Sequence, residues 1–199
     1  MPPDTIDLSL NEVETIALKS ARAAGLPWGV AEDVGRSAVW LARHVGAWAY
    51  PLLTLLETPP PAAHSPLLLA GPLADGAMAT VAHVVQPLWL LPVLLAGPGR
   101  RNAVVLRLGE AEIRCNPGEP ASATLPADAL AALPGAAVAV RVPGERLVPL
   151  HHRLPARFRR SVVDAAEWER LEGLAAATYV PASTESRLRG AGAGLLDDE

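Results

Sequence analysis

The sequence holds one cysteine, one lysine and one phenylalanine: Cys115, Lys19 and Phe158. A single cysteine excludes an intrachain disulfide and a thiolate-built zinc site, and it agrees with a reducing cytoplasm, the expected location. Aromatic residues make up 4% of a chain that is 50% hydrophobic, so Ala, Leu and Val carry the apolar content. Long apolar runs are missing as well. The most apolar stretch, residues 84–97, is broken by Gln86, Pro87 and Pro92 and is too short to cross a bilayer, so no membrane association is expected. Residues 1–7 carry neither a basic region nor an apolar run, and no secretion signal is read there. Net positive charge is lacking too: a formal charge of −4 and a pI near 5.7 argue against a nucleic-acid partner.

What is present is a chain of 199 residues punctuated by 20 prolines and 16 glycines. Sixteen of its 17 basic residues are arginine, a bias that beside so much Ala, Gly and Pro reflects a GC-rich genome rather than an arginine surface. The length suits one domain. Ser9 followed by Glu12 forms a capping-box pattern that starts a first helix, with Val13, Ile16, Ala17, Ala21 and Ala24 as its inner stripe, ended by Gly25 and Pro27. A second helix is predicted over residues 28–44, with Val30, Val34, Ala38 and Leu41 inward and Glu32 and Arg36 as an i,i+4 pair. Gly35 in its middle is expected to mark the crossing of helix one. A third, shorter helix over 47–56 is interrupted near Pro51, and the helical part ends at the prolines that follow Thr58.

From Pro66 onward the pattern reads as short strands between turns. The clearest is a hairpin of residues 103–108 and 111–115 around Gly109 and Glu110, with Arg107, Glu112 and Arg114 on its wet face and Val105 and Ile113 on its covered one. Further strands are predicted at 79–85, 137–142 and 146–150, and a short helix at 126–133. Asp164 caps a last helix over 165–177, with Glu167 and Glu169 near its start, where they favour the helix dipole. The fold class is therefore α+β: N-terminal helices on a small, mainly antiparallel sheet, with a C-terminal helix and a glycine-rich tail. The organisation is one domain with a helical layer at 1–57, a proline-rich connection at 58–65, a sheet-rich part at 66–163, the C-terminal helix and its exit at 164–180, and the tail at 181–199.

Three constellations bear on chemistry. The tail brings Glu185, Arg187 and Arg189 beside glycine amides, which reads either as an ordered cap offering an anion site or as a frayed chain end. His151, His152, Arg153, Arg157, Arg159 and Arg160 form a basic cluster, read as a solvated connection whose arginines pair with acidic helices, or else as a phosphate or carboxylate site. The histidines show no metal-ligand spacing, so no metal and no cofactor are assigned. Asp33, Ser37 and His44 share a stripe of helix two, but Ser37 and His44 are about 10 Å apart along the axis, too far for a triad. Trp28, Trp40, Trp48 and Trp89 are assigned to the core.

Residues 9–14 (Ser-Leu-Asn-Glu-Val-Glu), 23–33, 178–187 and 190–199 resemble a bacterial family of unknown function, identified as domain-of-unknown-function family 3726. The resemblance carries no catalytic assignment and implies that the tail belongs to the domain. The residues themselves support two functional expectations. The first is a cytoplasmic metabolic protein that binds a small anionic metabolite through Arg187, Arg189 and Glu185. The second is a non-catalytic accessory subunit, with a protein partner or a second copy seated on residues 84–97 or on helix one.

Overall fold

The computed structural model describes residues 4–178. Its N-terminal helices are where local chemistry puts them. Helix α1 (Leu10–Ala23) starts at Ser9, whose hydroxyl accepts from the Glu12 N–H at 3.3 Å while the Glu12 carboxylate accepts from the Ser9 N–H at 2.7 Å. Val13, Ile16, Ala17 and Ala21 are buried as expected, whereas Ala24 lies past the helix end and is exposed. Helix α2 (Trp28–His44) follows a turn at Gly25, whose φ of +86° is open to glycine without strain. A β-carbon at Gly35 would stand 3.1 Å from the Glu14 carbonyl oxygen and 3.3 Å from the Leu18 β-carbon, so α1 does cross α2 there. Arg36 does not pair with Glu32. It donates to Asp33 at 2.7 Å, and Glu32 instead accepts from the Trp28 indole N–H at 2.7 Å.

Helix α3 (Ala49–Glu57) runs through Pro51 without a break. Pro51 is its third residue, where the backbone N–H has no intrahelical acceptor to lose. The helical content also continues past residue 58. Helices α4 (Pro66–Ala74) and α5 (Leu90–Ala96) occupy apolar segments that had suggested strands or an exposed face. Short apolar runs bury equally well as strand or helix, and periodicity does not separate the two. Here Pro66 and Pro92 fall in the first turns of these helices, where proline is tolerated. Helix α5 lies between α2 and the sheet, with Leu90, Leu91 and Leu94 fully enclosed. Most of residues 84–97 thus belong to the core, while Val93 and Leu95 are half-buried and Ala96 and Gly97 are exposed.

Strands β2 (Thr80–Val85), β3 (Val104–Leu108), β4 (Ala111–Cys115), β5 (Ala121–Ala123), β6 (Gly135–Arg141) and β7 (His152–Leu154) form one sheet in the order β2-β6-β3-β4-β5-β7, with every pairing antiparallel. The hairpin has the predicted register: Leu106 faces Ile113 and Leu108 faces Ala111 on the covered side, while Arg107 faces Glu112 on the other. Val105 opposes Arg114 and so shares the polar face, contrary to expectation, although it is buried. Cys115 sits on the covered side, and burial pushes its thiol up to about 12, so no thiolate is available at neutral pH. The short helix α6 (Ala127–Ala131) follows β5.

A feature that sequence patterning missed closes the fold. Strand β1 (Thr5–Ser9) pairs antiparallel with β8 (Arg160–Asp164) in a separate two-stranded ribbon, from Thr5 opposite Asp164 to Ser9 opposite Arg160. Each strand ends at a capping residue: Ser9 opens α1, and Asp164 accepts from the Ala166 N–H at 2.8 Å to open α7 (Ala165–Ala176). Helix α7 packs on α1, where the buried Ser20 hydroxyl donates to the Leu171 carbonyl at 3.0 Å, and on α3 through an Arg170–Glu57 ion pair. The molecule is α+β with antiparallel sheets, and no described helix is long and apolar enough to cross a membrane.

Candidate functional site

The 142–159 segment helps to build a concavity rich in basic side chains. Residues 146–150, expected as a strand, take no ladder position. Asn116 supplies the pairing a strand would have supplied: its side-chain amide donates to the Leu147 carbonyl at 2.9 Å and its oxygen accepts from the Leu147 N–H at 2.9 Å. The Ser122 hydroxyl accepts from the Leu150 N–H at 2.9 Å, and Arg114 donates to the Val148 carbonyl at 3.0 Å. Side chains from β4, β5 and the turn between them thus hold the segment, and Pro149 within it has no N–H to give a ladder. The strand comes later, as β7, with Arg153 opposite Ser122.

Beyond β7 the chain is tied to the end of α2. The Arg157 and Phe158 N–H groups both donate to the Arg43 carbonyl, at 2.8 and 3.1 Å. The Phe158 ring lies over Gly46, where a β-carbon would be 3.5 Å from the ring. These anchors leave a cleft of about 390 Å³ between β7 and the start of α6, lined by His151, His152, Arg153 and Arg157, with Asp128 as an acid on its wall and Val45 among its lining residues.

The arginines of this cluster do not all pair with acids. Arg160 donates to Asp7 on β1 at 2.7 Å, a strand residue rather than a helical one. Arg153 and Arg157 make no side-chain hydrogen bond or ion pair with any described residue, and both are exposed. Two guanidiniums and two imidazoles held on one anchored segment, against one carboxylate, can take an anion by bidentate hydrogen bonds without first breaking a pair. The cluster itself was legible in sequence. Asp128 and Val45 were not, because tertiary structure alone brings them beside it.

The other sequence-derived candidates separate. Glu185, Arg187 and Arg189 lie outside the described residues. Asp33, Ser37 and His44 form no triad: Asp33 binds Arg36, and the His44 ring stacks on Trp40 at 4.4 Å between centroids, with its Nδ1 2.8 Å from the Leu154 carbonyl. Trp48 and Trp89 are core residues as expected and Trp40 is half-buried, but Trp28 is 60% exposed, with the Arg22 guanidinium 5.5 Å from its ring centroid. Among the described residues no group of three or more His, Cys, Asp or Glu side chains is placed to hold a metal ion.

His44 gives the fold a pH dependence. Burial holds its pKa below the ordinary histidine value, against the opposing effect of the Leu154 carbonyl, with Arg43 lowering it further. The unfolded chain takes up this proton near pH 6.5 and the folded chain only at lower pH. Stability is therefore lost as pH falls from about 6.5 through the folded value. In urea melts at pH 7.5 and 5, the His44→Gln variant is expected to lose less stability on acidification than the parent chain. Equal losses in the two proteins would mean that His44 contributes nothing to the acid response.

Residues 8–45 match the family described as "Protein of unknown function (DUF3726)", so the likeness read in the sequence holds over the end of β1, α1 and α2. No curated protein and no solved structure matches the chain.

Proposed function

We propose that the protein binds a small anionic metabolite in a bacterial cytoplasm, and that the cleft formed by His151, His152, Arg153 and Arg157 is where it does so. The observation that carries this reading is the state of Arg153 and Arg157, two guanidiniums in one cleft with no ion-pair partner among the described residues. On a protein with more acids than bases, two arginines left unpaired in a concavity favour a ligand as the missing partner.

Thermal denaturation at low ionic strength with phosphate, succinate and citrate tests it. A ligand present at about 100 times its dissociation constant stabilises the folded state by about 2.7 kcal/mol. For a domain of this size that raises Tm by about 5–10 °C. The Arg153→Gln/Arg157→Gln double variant, altered only at exposed side chains, is expected to keep the parent Tm without anion and to lose the increment with it. An increment of the same size in the double variant, or none for any anion in the parent, would rule the cleft out.

The rival reading is a non-catalytic accessory subunit, and Trp28 favours it. Its indole is fixed by Glu32 and Arg22 yet mostly exposed, the arrangement of an interface anchor. That reading predicts a stoichiometric complex in the native host that Trp28→Ala dissolves while anion binding persists.

A further inference from the structure

We infer that the pocket between α2 and α5 is a second ligand site, for a small carboxylate with an apolar body. The pocket has a volume of about 310 Å³, room for on the order of ten water-sized groups. Asp33, Arg36, Ser37 and Trp40 line it from α2, at the i, i+3, i+4 and i+7 positions of one helical stripe, apart from Gly35 at the α1 crossing. Val93 and Leu95 line it from α5, and Arg100 closes it from the turn that follows α5.

Ser37 is the observation that points to a ligand. The residue is 2% exposed and its hydroxyl makes no hydrogen bond with any described residue. A helical serine ordinarily satisfies itself on the carbonyl four residues back, as the Thr54 hydroxyl does on Tyr50 at 3.0 Å, but Ser37 does not. Of the four other buried serines, three are engaged: Ser20 donates to Leu171, Ser161 accepts from Trp48 and Ser122 accepts from Leu150. The fourth, Ser65, whose hydroxyl also makes no hydrogen bond with a described residue, is not among the residues that line this pocket. No fully enclosed side-chain nitrogen or oxygen among the described residues lacks a partner, so the Ser37 hydroxyl must reach the open pocket it lines. A buried hydroxyl without a protein partner is costly unless something else completes it.

The surrounding groups define what completes it. Arg100 has no side-chain ion pair or hydrogen bond with a described residue. Arg36 gives one of its five N–H donors to Asp33, which holds the guanidinium in place and offsets the one acid on the pocket wall. The Trp40 ring is fixed by its stack on His44, which the Leu154 carbonyl orients in turn. One carboxylate therefore meets Arg100, Arg36 and the Ser37 hydroxyl, while its apolar body lies on Trp40, Val93 and Leu95. A phosphate fits less well, because the apolar walls offer too few donors to replace the water around a second charge. This inference does not depend on the basic cleft, which lies beside β7.

The test uses phenylacetate, its neutral counterpart 2-phenylethanol, and phosphate, each titrated into the full-length protein while the tryptophan indole N–H resonances are followed by NMR. The Trp40 resonance is identified as the one missing from Trp40→Phe. Phenylacetate is expected to shift that resonance saturably, and phosphate to leave it unmoved. Arg100→Gln, an exposed change that leaves the fold intact, is expected to weaken phenylacetate binding about ten-fold, as is replacing the carboxylate by the alcohol. Ser37→Ala weakens it several-fold, whereas Arg153→Gln/Arg157→Gln has no effect on it. A Trp40 resonance that phenylacetate does not move, or one that the alcohol moves at the same concentrations, would overturn the inference. So would an affinity unchanged in Arg100→Gln.

Discussion

Trp48→Ala is expected to cost about 3–5 kcal/mol of folding stability, the range for truncating a large aromatic in a closed core. Trp48 is 1% exposed, directly before α3, and its indole N–H donates to the Ser161 hydroxyl of β8 at 2.8 Å. The residue therefore fills volume in the helical layer and also ties that layer to the β1–β8 ribbon. Alanine leaves a cavity and removes the donor from a serine that is itself buried. Phenylalanine keeps most of the volume and loses only the hydrogen bond, so Trp48→Phe should fall well short of the alanine loss. Urea titration followed by circular dichroism reads both. Two variants with the same midpoint as the parent would mean that the indole neither fills the core nor anchors the ribbon.

Gly35→Leu is the second large effect, with an expected loss of about 1–3 kcal/mol from overpacking. Two terms of opposite sign meet at this position. A glycine inside a helix costs about 0.5–1 kcal/mol relative to alanine, so alanine gains that much backbone preference and leucine slightly less. Against it stands the Glu14 carbonyl 3.1 Å from the position of a new β-carbon, a backbone atom that can move only if the whole α1–α2 crossing moves. Alanine should nearly balance the two terms, and leucine tips them toward loss because its further carbons enter the same crossing. A melting midpoint for Gly35→Leu equal to that of the parent would remove the close helix contact as the reason for glycine here.

The elements that proved legible are those whose signals are local. The Ser9–Glu12 box, the α2 boundaries, the Asp164 cap and the hairpin register depend on residues a few positions apart, and each is found where it was expected. The Arg36 pairing shows how narrow that margin is: Asp33 and Glu32 both lie about one turn away, and the rotamer that reaches Asp33 wins while Glu32 is taken by Trp28. Helices α4 and α5 were misread because an apolar run of seven to nine residues carries no period, and only burial between α2 and the sheet decides its form. The site was half legible. The run from His151 to Arg160 announces a basic cluster, but whether each arginine meets an acid depends on where β1 and α6 arrive. Arg160 pairs with Asp7, whereas Arg153 and Arg157 form no ion pair with a described residue although Asp128 shares their cleft.

Composition, caps and alternation by themselves determined the class of fold, its first two helices, its central hairpin and the start of its last helix, because those follow from hydrogen bonds closed within a few residues. Tertiary structure alone decided the pairing of β1 with β8, the burial of Leu90, Leu91 and Leu94 on a core helix, the exposure of Trp28 and the absence of ion pairs at Arg153 and Arg157 among the described residues. The strand pairing and the core helix rest on partners distant in the chain, whose loop-closure cost must be met by packing and leaves no local pattern to read.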